Sequence, residues 1–220
     1  MTLYLLTVTW GCHSNEEVAP SKPVHPPLHV EPPLTDFNAS LPPPEVTRTE
    51  YPGAIRLEVT LDVHGISSWN RRYKKFFGVA NESFQSKNEI NASAENTNHA
   101  DMYFEYYGIG STDYEYTHSL DFPESAPTTL FKEVKVRPAI IEYMATTAPE
   151  LLQSKFEDSP AVENNFVGNY EYTTPGSTYV FKTDRSPARY GLIKILESDG
   201  GYTGPDGFFF KVKLEIVFQK

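Results

Sequence analysis

Phe208-Phe-Phe-Lys-Val-Lys-Leu-Glu-Ile-Val-Phe218 alternates without a break, with Phe208, Phe210, Val212, Leu214, Ile216 and Phe218 on one side and Lys211, Lys213 and Glu215 on the other. Successive side chains of a strand point to opposite faces, so this stretch reads as a β-strand with one face in a core and one in water. Upstream of it, Gly200, Gly201, Gly204, Pro205 and Gly207 predict a turn, and Tyr190, Leu192, Ile193 and Ile195 a strand. A second turn at Asp184-Arg-Ser-Pro-Ala188 connects that strand to Tyr179, Phe181 and Thr183, the outline of a hairpin.

The same period recurs earlier in the chain. Ile55, Leu57, Val59, Leu61 and Val63 alternate with Arg56, Glu58, Thr60 and Asp62. Met102, Phe104 and Tyr106 repeat the pattern after Asp101, with Tyr103 and Tyr107 opposite, and Gly108-Ile-Gly110 is expected to end the run. One helix interrupts the series: Thr147-Ala-Pro-Glu150 has the spacing of a capping box, followed by the apolar stripe Leu151, Leu152 and Phe156. The expected fold is mostly β, an antiparallel β-sandwich or β-rich domain with one short helix. No repeat of ~20–50 residues suggests a propeller or solenoid.

At the other end of the chain the signals are compositional. The apolar run from Leu3 to Gly11 stops at Cys12, the sole cysteine, in the arrangement of a lipoprotein processing site. No Lys or Arg precedes that run. Residues 13–44 then hold nine of the eighteen prolines and few large apolar residues, a semi-rigid tether rather than a folded element. The expected organisation is a lipoprotein-type signal segment at 1–12, a proline-rich tether at 13–47 and a single β-rich domain at 48–220. Beyond residue 12 no apolar run approaches the ~20 residues that span a bilayer, so membrane attachment is expected through the lipid alone.

Charge and cysteine count exclude further classes. With 29 acidic against 19 basic residues the net charge is −10, unsuited to a phosphate backbone, and no nucleic acid partner is expected. One thiol supplies neither a disulfide framework nor a cysteine zinc site. His13, His25 and His29 lie in the tether without the spacing of a coordination set, and the glycine-rich turn from Asp199 to Gly207 lacks the alternating acids of a calcium loop; no metal site is expected. The chain holds no GxSxG, HExxH, P-loop or GxGxxG motif, which points to a non-enzymatic protein. Asn38, Asn81 and Asn91 begin N-x-S sequons, which matter only for a eukaryotic secreted chain.

The C-terminal third carries a resemblance. Gly176-Ser-Thr-Tyr-Val-Phe-Lys-Thr183, Arg189-Tyr-Gly-Leu-Ile-Lys-Ile195 and Gly204 to Lys220 are similar to the closing strands of Bacteroidota-type outer-surface lipoproteins, including the haemophore-like family. Asn98-His-Ala-Asp-Met-Tyr-Phe104 is similar to an aspartate-plus-aromatic strand of the same proteins. The resemblance implies a lipid-anchored, non-enzymatic protein at the outer membrane or cell surface that captures a nutrient, with haem the specific ligand and an outer-membrane receptor a possible partner. Two histidines from different strands would then hold the iron, and the candidates are His64, His99 and His118.

A second reading rests on aromatics. Tyr103, Tyr106, Tyr107, Tyr114 and Tyr116 crowd a short stretch with Glu105, Asp113 and Glu115, a composition suited to stacking and hydrogen-bonding a glycan. A third is a structural or adhesive envelope protein with no small ligand, joined to its partner through an exposed final strand.

Overall fold

The computed structural model describes residues 43–64, 74–92, 99–105, 108–112, 128–167, 174–204 and 207–220. The closing stretch is a strand, but an interior one. Among the described residues, eleven strands and three helices run in the order β1 (Glu45–Glu50), β2 (Ala54–His64), β3 (Phe76–Gly78), β4 (Ser83–Gln85), α1 (Lys87–Asn91), β5 (Met102–Glu105), β6 (Gly108–Ser111), β7 (Thr129–Glu133), α2 (Pro138–Thr146), α3 (Leu151–Glu157), β8 (Phe166–Val167), β9 (Thr178–Thr183), β10 (Tyr190–Gly204) and β11 (Gly207–Gln219). They form two antiparallel sheets, six strands ordered β1-β2-β11-β10-β9-β7 and five ordered β4-β3-β5-β6-β8. The mostly β, sandwich-like class is as expected. The edge is not: β11 lies between β2 and β10, so its backbone is paired on both sides; among the described residues the outermost strands of the large sheet are β1 and β7, and β7 is bridged on its far side where Phe131 and Asn164 exchange backbone hydrogen bonds.

The alternation in β2 and β11 is the reason for their register. Ile55, Leu57, Val59 and Leu61 stand opposite Phe218, Ile216, Leu214 and Val212, all buried in one core between the sheets. From the small sheet Phe77, Phe84, Met102, Phe104 and Ile109 enter the same core, and Phe77 meets Phe218 edge-on at 6.1 Å between centroids. Slipping either strand by one residue would turn the whole apolar row outward, which fixes the pairing. The β9–β10 hairpin is buried on both faces: Tyr179, Phe181, Ile193 and Ile195 join the sandwich core, while Val180, Tyr190 and Leu192 join Ala54 and Val217 beneath α2 and α3.

The helices differ from the sequence expectation. Thr147 and Glu150 form no capping box; Thr147 closes α2, and Glu150 precedes α3 with no side-chain cap, because Pro149 and a preceding helix occupy the turn that a capping Thr would need. The reciprocal box lies at Ser86 and Glu89 instead, with Ser86 Oγ accepting from the Glu89 amide at 3.2 Å and the Glu89 carboxylate accepting from the Ser86 amide at 2.7 Å. It starts α1, which sets Ile90 against Phe76, Ala100 and Tyr103 on the outer face of the small sheet.

Gly108-Ile-Gly110 does not end a strand; it is one. In β6, Gly110 stands opposite Tyr103, whose ring covers the glycine so closely that a Cβ there would fall inside it. The glycines erase the alternation in sequence, and rings from neighbouring strands supply it in space. The glycine-rich stretch near residue 200 is likewise strand up to Gly204, with register shifts between Ile195 and Glu197 and between Asp199 and Tyr202, and the reversal falls between Gly204 and Gly207.

Candidate functional site

After Glu133 the chain leaves the large sheet as Val134-Lys-Val-Arg137, and Pro138 turns it into a helix. A residue before proline is held extended, as Arg137 is at φ −71° and ψ 144°, while Pro138 itself needs no amide hydrogen bond at the first helical position. Ile141, Met144 and Ala145, at helical spacing, then press α2 onto Ala54 and Val217. α3 follows after a short turn and buries Leu152 and Phe156, with Phe156 edge-on to Tyr190 at 5.9 Å.

The end of α3 is held by a lysine from the sheet. Lys132, on β7 and 6 % exposed, donates through Nζ to the carbonyls of Phe156 at 2.9 Å and Ser159 at 3.1 Å, and its ammonium lies 4.8 Å from the centre of the Phe156 ring. A cation on carbonyls at a helix C-terminus satisfies acceptors that the helix leaves unpaired. This clamp keeps residues 158–161 beside the start of α2 and leaves a groove of about 680 Å³ between them, within the ~300–1,000 Å³ usual for small-molecule sites.

The groove has an apolar bed of Val134, Ile140, Met144, Leu151, Pro160 and Ala161. Four charged residues also line it: Glu133, Lys135, Lys155 and Asp158. Among the described residues, Lys135 and Lys155 make no hydrogen bond or ion pair. Glu133 stands opposite Tyr179 on β9, whose phenol its charge, after burial, helps to push up, so that carboxylate faces the sandwich side of the sheet.

A second polar cluster lies at one end of the sandwich. Asp101 is 0 % exposed; its Oδ2 accepts from the Val79 amide at 2.7 Å and its Oδ1 from Arg185 Nε. Its carbonyl accepts from Thr129 Oγ1 at 2.7 Å, so one residue ties the small sheet to β7 and to the β9–β10 turn of the large one. Burial raises the Asp101 pKa, against the pull of Arg185 and of the Val79 amide. Among the described residues, Arg185 Nη2 and Thr112 Oγ1, both buried, have no hydrogen-bond partner. With both carboxylate oxygens engaged and no solvent contact, the cluster reads as a clasp between sheets.

None of the sequence-predicted site residues that are described lines the groove. Cys12, His118, Tyr106, Tyr107, Tyr114 and Tyr116 lie outside the described residues. Tyr103 is 1 % exposed, packed between Phe76 and Gly110, which corrects the expectation that it forms part of a glycan-stacking surface: its ring is the cover over Gly110. His64 closes β2 opposite Phe209, ~30 Å along the strand from Ile55 at ~3.3 Å per residue, and its side chain lies outside what is described. His99 is half-buried against Gly78, next to the Phe77–Phe218 contact at the Ile55 end. Among the described residues no group of three His, Cys, Asp or Glu could hold a metal, and no helix is long and apolar enough to cross a membrane.

Sequence reasoning missed the groove because its walls come from three separated segments. The i, i+3, i+4 pattern of Ile141, Met144 and Ala145 after Pro138 is a legible signal for α2; nothing in sequence distinguishes Lys135 and Lys155 from surface lysines. Compared with known protein families, curated proteins and solved structures, the chain matches none of them.

Proposed function

We propose that this chain is a non-enzymatic, lipid-anchored cell-surface protein that captures a nutrient ligand, with haem the specific candidate and an outer-membrane receptor its partner. The observation that carries the reading is the groove beside α2 and α3, of small-molecule size, with an apolar bed and two unpaired lysines on its walls. The lipoprotein-like likeness of residues 176–220 and the placement of Cys12 support the location. A porphyrin is a flat apolar ring bearing two carboxylates, which suits such a groove. The lining residues include no imidazole, so the ring would be held by its apolar faces and propionates, with Met144 supplying the one sulfur.

A haemin titration of the full chain tests this: a saturable one-to-one shift of the Soret band is expected, lost when Ala161→Trp fills the groove. Absence of a saturable shift refutes haem as the ligand. Cys12→Ala is expected to release the protein from the membrane fraction, and its retention there refutes the anchor. One observation favours a second reading, an adhesive envelope protein: all six residues of β1 are exposed and, among the described residues, its outer edge carries no strand. A stable oligomer in solution, dissolved by a proline in β1, would favour that reading.

A further inference from the structure

Among the described residues, the two lysines in the groove have no side-chain partner, and that fact goes further than size and hydrophobicity. A charged side chain facing an apolar cleft keeps its hydration only while the cleft is open to water. Lys135 and Lys155 are both exposed where they flank the bed, so an acidic group carried by an apolar guest meets two cations that no protein carboxylate holds. Lys135 reaches the groove from the segment that leaves β7, and Lys155 from the last turn of α3, so the cationic groups come from two different walls. Of the two acids that also line it, Glu133 is directed to the sandwich face beside Tyr179. Asp158, at the C-cap of α3 and three residues after Lys155, remains as the one opposing carboxylate, and it pairs with neither lysine.

Resting on the reading of this groove as the ligand site, we infer that its ligand class is a small amphiphilic anion: an apolar body on Val134, Ile140, Met144, Leu151 and Pro160, and an acidic head group bound by Lys135 and Lys155. Asp158 weakens the binding of such an anion, so selectivity for anions over neutral apolar molecules is modest in the native chain and rises when that carboxylate is removed.

The test uses two fluorescent probes that share an apolar ring system and differ in charge, anilinonaphthalene sulfonate and neutral phenylnaphthylamine, titrated into the full chain and monitored alongside far-ultraviolet circular dichroism. The native chain is expected to bind the sulfonate more tightly than the neutral probe. Lys135→Gln with Lys155→Gln should weaken the sulfonate about tenfold and leave the neutral probe unchanged, and Asp158→Asn should tighten the sulfonate alone. If both probes bind and both are lost on Ala161→Trp, but the lysine substitutions do not move the sulfonate, the head-group inference is overturned and the groove stands. If neither probe binds, or Ala161→Trp displaces neither, the groove reading falls and the inference with it.

Discussion

Replacing Lys132 by Met keeps the length and apolar stem of the side chain and removes its charge, so it isolates what the ammonium does at the end of α3. Two charge-assisted hydrogen bonds to Phe156 and Ser159 are lost, each worth ~1.5–3 kcal/mol, together with a cation–π contact worth roughly 1 kcal/mol. The Glu163 carboxylate, 3.4 Å away and half-exposed, adds little. Against these stands the cost of keeping an ammonium 6 % exposed, several kcal/mol before pairing, which Met does not incur. The net expectation is a loss of about 2 kcal/mol, or roughly 4–8 °C in Tm for a domain of this size. Urea denaturation at constant m gives the global figure. Amide exchange locates it, with the extra opening expected in residues 151–161 and not in β2 or β11. A variant as stable as the native chain would refute the reasoning, since it would mean that the two carbonyls find water without the lysine.

Three other outcomes test separate links. Gly110→Ala is expected to cost about 1–3 kcal/mol by forcing the Tyr103 ring off its strand, and part of that loss should return in the double variant with Tyr103→Leu; no recovery would mean that the strain lies elsewhere. Asp101→Asn keeps an acceptor for the Val79 amide and removes the charge facing Arg185, for an expected loss of about 2–4 kcal/mol discounted for the partial exposure of Arg185; a double-mutant cycle with Arg185→Met showing no coupling would remove the clasp. Glu215, 5 % exposed on the outer face of the large sheet, has its pKa raised by burial despite Arg56 at 2.8 Å and Lys194 beside it, with Glu58 and Glu142 pushing the same way as burial. A raised folded pKa means stability present below the unfolded value, ~4.3, and lost as pH rises through the folded one. The stability of the native chain relative to Glu215→Gln should therefore fall as pH rises from about 4, and a difference that grows with pH would contradict that sign.

Where alternation is carried by side chains, the fold could be read directly. Ile55 to Leu61 and Val212 to Phe218 both show the period and face the same core. Where a ring from another strand replaces a side chain, it could not: β6 is invisible because Gly108 and Gly110 contribute nothing to the pattern, and the residues that cover them, Phe166 and Tyr103, belong to other strands. Thr147 and Glu150 had the spacing of a cap without its geometry, while Ser86 and Glu89 had both. The final strand was expected to present an exposed edge, yet strand edges are set by backbone pairing, which leaves no mark on side-chain pattern. The groove is harder still, since Lys135 and Lys155 gain meaning only from what they lack as partners.

The central position of β11 sets an order of events during synthesis. β2 is made early and must wait for β11, more than a hundred residues later, before its second edge is covered, and β10 waits for the same strand. Any chain emerging from its amino end therefore carries the β1–β2 hairpin as an uncovered apolar ribbon through most of its production. Loss of the last dozen residues would not trim this domain at its margin; it would split the large sheet into two halves with no backbone pairing between them.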